Sequence, residues 1–323
     1  MSTLTFSAAV DAGLAAAMAE DARVVTFGED VRLLRRDLLV RFGPDRVRDT
    51  PISEAAFVHA GVAAAAAGLR PVVEVMLVDF LPVAWSALVN AAALFPTLSA
   101  GAVRVPVVVR AACGGGYGDA GQHEQALWGM IGSVPGLTVV VPSTPADAAG
   151  LMLAAVQAPG PVVFLEHKLL TDYWLDYLGG ASRPSVVFDV PEAGRVGQVP
   201  EPIRPVALGS AVLRRPGGDV LLVSLGVGVH RCLAAAEELA RAGTDAAVVD
   251  LRSVAPLDVD VLVPLARRCG RVVVVDEDYL RGGLSGEVAA VLLEAGLTPR
   301  FARVATPGPI PFARDLEAAT LPS

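Results

Sequence analysis

Short apolar runs rich in β-branched residues alternate with Ala- and Leu-rich segments of helical length in the first half of the chain. The runs lie within RVVTFGED, RPVVEVML, VRVPVVVRA, LTVVVPS and PVVFLEH. Strands buried on both faces of a parallel sheet are apolar throughout, whereas half-exposed strands alternate with polar residues. The pattern therefore predicts an α/β domain in which helices cover both faces of a parallel sheet.

A second series of the same kind follows. Strands are predicted within DVLLVSLGVG, TDAAVVDLRS and GRVVVVDED, and helices within HRCLAAAEELARAG, DVDVLVPLARRC and GEVAAVLLEAG. Gly243 and Gly296 stand where helix C-caps belong, and Asp258 where an N-cap belongs. Residues 180–205 are instead rich in Pro, Gly, Arg and Glu. We predict two three-layer α/β domains, at 1–185 and 205–323, joined by a linker at 186–204.

The charge pattern excludes one class of partner. The formal net charge is −8, and the basic residues are scattered rather than gathered on one stripe. We therefore expect no nucleic-acid partner. Cys113, Cys232 and Cys269 stand far apart without a CxxC pair, which is typical of buried thiols in a reducing compartment. We expect a cytoplasmic protein.

Apolar composition raises the question of a membrane. Residues 80–103 carry no charge, but Pro82, Asn90 and Pro96 interrupt them, so we expect no membrane span. The N-terminal segment carries acidic residues and no basic region, which favours an amphipathic helix over a signal sequence. Hydrophobic residues make up 53% of the chain. Such a surplus is typical of buried subunit interfaces, so we expect an obligate oligomer.

One carboxylate stands at the predicted start of an almost wholly apolar helix, in DTPISEAAF. Thr50 or Ser53 can cap this helix and Pro51 suits its first turn, so Glu54 can simply interact favourably with the helix dipole. Alternatively, a carboxylate in a desolvated cleft can share a proton with a ligand nitrogen. Spacing alone leaves both possibilities open. Common phosphate-loop, serine-nucleophile and zinc-protease motifs do not occur in the sequence.

A set of longer motifs in one order decides between them. They include GEDV, FGPDRVRDTPISE, GLRPVVEV, GGGYGDAGQH, GPVVFLEHKLL, DLRSVAPLD, GRVVVVDE, GGLSGEVAA and PIPFARDLEAATLP. With them the chain resembles, over nearly its whole length, the beta subunit of the thiamine-diphosphate-dependent decarboxylase (E1) component of 2-oxoacid dehydrogenase complexes. This family belongs to the transketolase superfamily. The resemblance implies a pyrimidine-binding domain followed by a transketolase C-terminal domain.

The resemblance assigns roles to three residues near the cofactor. In the family, the glutamate of the TPIxE motif shares a proton with a ring nitrogen of the aminopyrimidine, and Glu54 occupies that position. This proton favours the imino tautomer, whose nitrogen then deprotonates the thiazolium carbon to give the ylid. Ile52 falls at an apolar contact to the cofactor, and Phe80 at the aromatic beside the aminopyrimidine. Core packing is the alternative role for both.

His123 matches the family histidine that faces the substrate and assists acyl transfer; without the resemblance, a structural role is the alternative. The sequence departs from the family pattern at two places, one beside His123 and one after the GEDV motif. Glu124 replaces a small hydroxyl residue of the family motif, which suggests a changed substrate or a raised histidine pKa. A basic segment with Arg32, Arg35 and Arg36 replaces a glycine-rich one. A solvated helix face or a contact to an anionic partner are the two interpretations.

An absence implies a partner subunit. The superfamily holds the diphosphate through Mg²⁺ bound by a G-D-G motif, and no G-D-G occurs in these 323 residues. The Mg²⁺ ligands are therefore expected from an alpha subunit, in an α2β2 heterotetramer, and we assign no metal ligand to this chain. The loop 156–161 lacks the Asp and Asn of the relatives' potassium site, so whether that site is kept stays open.

The implied function is decarboxylation of a 2-oxo acid and transfer of the acyl unit to a lipoyl domain of an acyltransferase. The departures near His123 leave an alternative, a two-subunit transketolase-like carboligase that passes a two-carbon unit to an aldehyde or biosynthetic acceptor. A third hypothesis is an inactive scaffold subunit. The sequence does not identify the 2-oxo acid.

Overall fold

The computed structural model describes residues 1–116, 118, 121–171 and 192–322. Its larger sheet has seven strands in the order β12-β6-β7-β5-β4-β2-β3, all parallel except β12. Six of them belong to the first domain: β2 (Val24–Gly28), β3 (Val47–Asp49), β4 (Arg70–Leu77), β5 (Val108–Cys113), β6 (Thr138–Val140) and β7 (Val162–His167). Every residue of β5 and β7 is buried, including the polar Arg110, Glu166 and His167.

Helices cover both faces of this sheet. They are α1 (Phe6–Glu20), α2 (Val31–Leu34), α3 (Arg36–Phe42), α4 (Glu54–Ala66), α5 (Phe95–Leu98), α6 (Trp128–Gly132) and α7 (Pro145–Gln157). Short 3₁₀ helices span Val78–Ala84 and Lys168–Leu170, and a π-helix spans Ala87–Ala93. Helix α4 lies close to the sheet at Gly61, where a Cβ would stand 2.3 Å from Val73 Cγ2.

The second domain contains a five-stranded sheet in the order β14-β13-β10-β11-β9, parallel except for β9. Its strands are β9 (Val212–Arg215), β10 (Val220–Ser224), β11 (Ala246–Asp250), β13 (Arg271–Tyr279) and β14 (Arg300–Thr306). The helices are α9 (Gly228–Arg241), α10 (Val259–Cys269), α11 (Leu284–Glu294) and α12 (Arg314–Ala318). The two predicted α/β domains are thus confirmed as fold class.

Two pairings that the sequence did not predict connect distant parts of the chain. Strand β12 (Ser253–Ala255), from the second domain, pairs antiparallel with β6 of the first. At the end of the predicted linker, α8 (Glu192–Arg195) leads into β8 (Val196–Val199), which pairs with β1 (Ser2–Thr5). The domain boundaries stay a prediction, because the linker lies partly outside the described residues.

Several local predictions are confirmed. Gly243 and Gly296 adopt positive φ, 83° and 72°, just after helices α9 and α11. The Asp258 side chain accepts the N–H of Val261 at 3.1 Å and caps α10. The three cysteines are buried and free.

Within the described residues, no single helix is long and apolar enough to cross a membrane. The pair 78–84 and 87–98 reaches that length and apolarity only when joined, and it bends by 69°.

The predicted role of the basic segment is wrong for one of its arginines. The side chains of Arg32 and Arg36 are exposed, but that of Arg35 is only 11% exposed and points into the domain. Arg35 Nε donates to Glu74 Oε2 at 2.9 Å, and the guanidinium also pairs with Asp11. Burial raises the pKa of Glu74, but Arg35 and Arg110 outweigh burial and lower it. Arg35 therefore neutralises buried acids instead of meeting solvent or an anionic partner.

Candidate active site

The candidate residues stand after the carboxyl ends of neighbouring parallel strands. Glu54 follows β3, Phe80 follows β4 and His123 follows β5. Strand β4 pairs with β5 directly, and β2 lies between β4 and β3. Ligands of open parallel sheets bind beyond this edge, because the loops and helix starts there converge. The topology therefore gathers the predicted residues at one side of the first domain.

Glu54 is the first residue of α4 and is 9% exposed. The predicted capping is wrong: Ser53 occupies the N-cap position without a side-chain bond, and the buried Thr50 Oγ1 has no hydrogen-bond partner. Pro51 precedes the helix rather than forming its first turn. The carboxyl of Glu29 lies close to Glu54. Burial raises the pKa of Glu29, and the negative charges of Asp30 and Glu54 raise it further. No side-chain cap therefore closes the start of α4.

Glu54 differs from every other buried acidic residue that the structure describes. Ten such residues are buried, and nine of them have a partner. Arginine, histidine, tryptophan or backbone N–H groups bind eight of the nine: Glu74, Asp147, Glu166, Asp250, Asp276, Glu277, Asp278 and Glu317. Within the same described ranges, the Glu54 side chain forms no hydrogen bond or ion pair. Its oxygens are not among the described buried atoms without a partner, so the carboxylate reaches the surface at the carboxyl edge of the sheet and is open to a ligand.

The structure brings two further predicted residues into contact. The rings of Phe80 and His123 meet edge to face, with centroids 5.7 Å apart and planes at 83°. Both residues are partly buried. Phe80 packs against a core cluster to which both domains contribute. Packing alone accounts for this contact, so the cofactor role of Phe80 and the acyl-transfer role of His123 stay predictions.

A polar chain holds this pair. Asp79, next to Phe80, accepts the Gln125 Nε2 hydrogen on Oδ1 at 2.9 Å and the Gln125 backbone N–H at 3.2 Å. Tyr279 of the second domain donates its hydroxyl to Gln125 Oε1 at 2.9 Å. Burial raises the pKa of Asp79, and its Oδ2 is a buried oxygen without a partner. The segments carrying Phe80 and His123 are therefore tied together and to the second domain.

Lys168 is a buried cation that contacts this group of residues. It is 1% exposed, and its Nζ donates to the backbone carbonyl of His123. Its charge lowers the pKa of Asp79, although less than burial raises it. Glu124 is fully buried and partnered, so it does not face solvent beside the histidine. The sequence did not indicate a role for Lys168, because nothing in its local pattern distinguishes it from a surface lysine.

Glu277 also escaped the sequence analysis. Its Oε1 accepts the backbone N–H of Gly115 at 2.7 Å and contacts His167 Nε2 at 3.0 Å, and Arg231 Nη1 lies 3.3 Å from Oε2. Burial raises its pKa, but His167, Arg231 and the Gly115 N–H outweigh burial and lower it to about 2. An anion from the second domain thus holds the glycine-rich segment before His123. Only tertiary structure reveals this contact.

Two predicted features stand outside this contact network. Ile52 is 74% exposed on the turn before α4, so its cofactor contact stays a prediction. In the loop 156–161, Arg70 Nη1 donates to the carbonyls of Val156 at 2.7 Å and Ala158 at 3.1 Å. The Arg70 guanidinium thus binds two backbone carbonyls of this loop, which, without the Asp and Asn side chains, has mainly its carbonyls to offer a potassium ion. No group of His, Cys, Asp and Glu side chains suited to a metal occurs in the described part of the chain.

Comparison with known proteins identifies the family. Residues 2–172 match the model of the transketolase pyrimidine-binding domain, and residues 209–323 that of the transketolase C-terminal domain. The beta-1 subunit of the mitochondrial pyruvate dehydrogenase E1 component of Arabidopsis thaliana is 36% identical, covering 99% of this chain and 86% of that one. This chain belongs to the E1 beta-subunit family of the transketolase superfamily. The family depends on thiamine diphosphate.

Other relatives of this E1 beta subunit act on different substrates. The beta subunit of an acetoin:2,6-dichlorophenolindophenol oxidoreductase of Bacillus subtilis is 34% identical over 99% of this chain and 94% of its own. The 2-oxoisovalerate dehydrogenase beta subunit of the same organism is 35% identical, over 91% and 85%. A solved split-gene transketolase, described as an inactive beta4 tetramer, superposes with a TM-score of 0.76 at 23% identity, over 98% and 97%. That likeness confirms the fold.

Proposed function

We propose that this E1 beta subunit forms part of a thiamine-diphosphate-dependent 2-oxo acid dehydrogenase and provides the pyrimidine half of its cofactor site. The observation that carries the proposal is Glu54, a largely buried residue whose carboxylate reaches the surface and has no hydrogen bond or ion pair among the described residues. A ring nitrogen is a suitable partner, because a carboxylate can share a proton with it at hydrogen-bond distance. The residues present therefore fit the aminopyrimidine.

When bound, thiamine diphosphate would supply a nucleophilic carbon and an electron sink for the decarboxylation of a 2-oxo acid. Glu54 would hold a proton at a ring nitrogen, and the nearby Glu29 would disfavour the loss of that proton from the site. Phe80 offers an aromatic face to the ring, and the exposed Ile52 an apolar contact. His123, against Phe80, is placed to move a proton during acyl transfer.

A partner of alpha type completes the site in this proposal. The chain lacks the G-D-G motif, so the Mg²⁺ and diphosphate contacts come from that subunit, in an α2β2 assembly. The acceptor is a lipoyl domain. A 2-oxo acid is the substrate class, and the names of the relatives supply the compounds to test: pyruvate, 2-oxoisovalerate and acetoin. We also propose a cytoplasmic location, on the free cysteines.

Glu54→Gln in the αβ holoenzyme tests the proposal. Glutamine keeps the shape but cannot share the proton, so turnover with an artificial electron acceptor should fall at least about 100-fold. Glu20→Gln, at the exposed end of α1, is the matched control. Retention of activity by the Glu54 variant, or turnover by the beta subunit alone with cofactor and Mg²⁺, would contradict the proposal. Transfer to an aldehyde but not to a lipoyl domain would favour the carboligase.

A further inference from the structure

The glycine-rich segment before His123 depends on outside contacts for its position. It has no helix or strand among its described residues between β5 and α6. Its base is closed by the Gly114 N–H, which donates to the Gln125 carbonyl at 2.9 Å. Gly114 and Gly116 adopt φ values of 87° and 114°, which residues with a Cβ rarely reach. We call the described residues of this segment, 114–116, 118 and 121–125, the histidine loop.

Three backbone N–H groups of the histidine loop donate hydrogen bonds to the second domain. The Gly115 N–H donates to Glu277, and the Gly116 N–H donates to Glu317 Oε1 at 2.6 Å. Further along the loop, the Gly121 N–H donates to the Ile310 carbonyl at 3.1 Å. Leu321 packs so closely on Gly115 that a Cβ there would stand 2.3 Å from its Cδ1.

Glu317 is the most specific of these contacts. The side chain is 2% exposed, and the Gly116 N–H is its hydrogen-bond donor within the described residues, where Oε2 has no partner. Glu277, by contrast, also binds His167 and Arg231, so its removal would disturb the domain interface as well. Burying a carboxylate is costly, and here the hydrogen bond to the Gly116 N–H offsets part of that cost. The contact therefore suggests a role in holding the loop.

We propose that Glu317 is a positioning residue for His123: by holding Gly116 it sets the loop geometry that the acyl-transfer step requires. The inference rests on the proposed function of this E1 beta subunit. The inference distinguishes decarboxylation from acyl transfer, because Glu54 lies on α4 and has no hydrogen bond to residues 307–322. Decarboxylation should therefore tolerate a displaced histidine loop, whereas transfer to an acceptor should not. A misplacement of about 1 Å can cost about 100-fold in rate.

The test uses Glu317→Ala and Glu317→Gln in the αβ holoenzyme, with Glu294→Gln at the exposed end of α11 as control. Two rates are measured, 2-oxo acid oxidation with 2,6-dichlorophenolindophenol and acyl transfer to a free lipoyl domain. We expect Glu317→Ala to slow transfer about 10- to 100-fold while dye reduction stays within about 2-fold. Glu317→Gln keeps an oxygen that accepts the Gly116 N–H, so it should restore transfer to within about 3-fold.

Hydrogen–deuterium exchange gives a readout that is independent of turnover. Glu317→Ala should speed exchange at Gly115 and Gly116 about 10-fold, without change in the peptide that contains α4. Equal losses of both rates, unchanged exchange in the loop, or a Gln variant as impaired as Ala would each overturn the inference. If the wild-type holoenzyme oxidises no 2-oxo acid, the proposed function fails, while the exchange measurement still decides whether Glu317 holds the loop.

Discussion

Asp278→Asn should stabilise the protein at alkaline pH. Asp278 is 4% exposed, and its oxygens accept the backbone N–H groups of Gly129 and Tyr279, each at 2.7 Å. Burial, and then the neighbouring charge of Asp276, raise the pKa of Asp278 to about 6. The two backbone donors do not compensate for this cost. The folded protein therefore binds a proton at Asp278 more tightly than the unfolded chain does.

The sign of the effect follows from this raised pKa. Its stabilising contribution is fully present below the unfolded value, near pH 4, and is lost as the pH rises through about 6. A shift of about two pH units corresponds to about 3 kcal/mol lost by pH 8. Asparagine carries no charge and escapes that loss, but it gives up one accepted hydrogen bond, about 1 kcal/mol. We expect a net gain of about 1–3 kcal/mol at pH 8.

The assay compares urea unfolding of wild type and Asp278→Asn at pH 8 and pH 5. The free energy of unfolding of the variant, relative to wild type, should be about 1–2 kcal/mol less favourable at pH 5 than at pH 8. The lost hydrogen bond shifts both values equally and does not affect this difference. Glu74→Gln is the matched contrast. Arg35 and Arg110, which stay charged at both pH values, outweigh burial and lower the pKa of Glu74, so its stabilising contribution is lost only at more acid pH. Its deficit should therefore be similar at both pH values. A pH-independent difference for Asp278→Asn would refute the reasoning.

Three further predictions test the site. Gly114→Ala should destabilise the protein by about 2 kcal/mol or more and slow acyl transfer, because φ is 87° and the new Cβ would stand 2.1 Å from His167 Nε2; thermal unfolding measures the first effect. His123→Ala should slow transfer to a lipoyl domain about 100-fold, while dye-linked oxidation stays within about 3-fold. Exchange of potassium for sodium should leave activity within about 2-fold, because Arg70 already donates to the carbonyls of Val156 and Ala158.

The central strands were predictable because burial on both faces leaves a continuous apolar run. Strands β5 and β7 are buried in every residue, and their only charged side chains in mid-strand, Arg110 and Glu166, pair with each other. The missed strands lack that signal. Strand β3 lies at a sheet edge and ends in Arg48 and Asp49, which are exposed, and β14 is also an edge strand with mostly exposed residues. Strand β12 owes its place to a pairing between domains, which no local pattern encodes.

The candidate site divides in the same way. Glu54, Phe80 and His123 stand in motifs of a few residues, so the sequence could name them. The helix cap at Ser53 was predicted wrongly, because composition shows that a hydroxyl is available but not that its rotamer reaches the amide. The inward direction of Arg35 was missed for a related reason: its partners Asp11 and Glu74 are 24 and 39 positions away.

Distance along the chain also separates two kinds of residue in this E1 beta subunit. Those proposed to contact cofactor and substrate all lie in the first domain, at the carboxyl edge of its sheet. The position of the histidine loop, however, depends on Glu277, Tyr279 and Glu317, which are 154 to 201 positions from the loop residues that they bind. Because those contacts are hydrogen bonds to the histidine loop and not to Glu54, substitutions in the second domain should alter acyl transfer selectively. The second domain would then set the fate of the acyl unit rather than its formation.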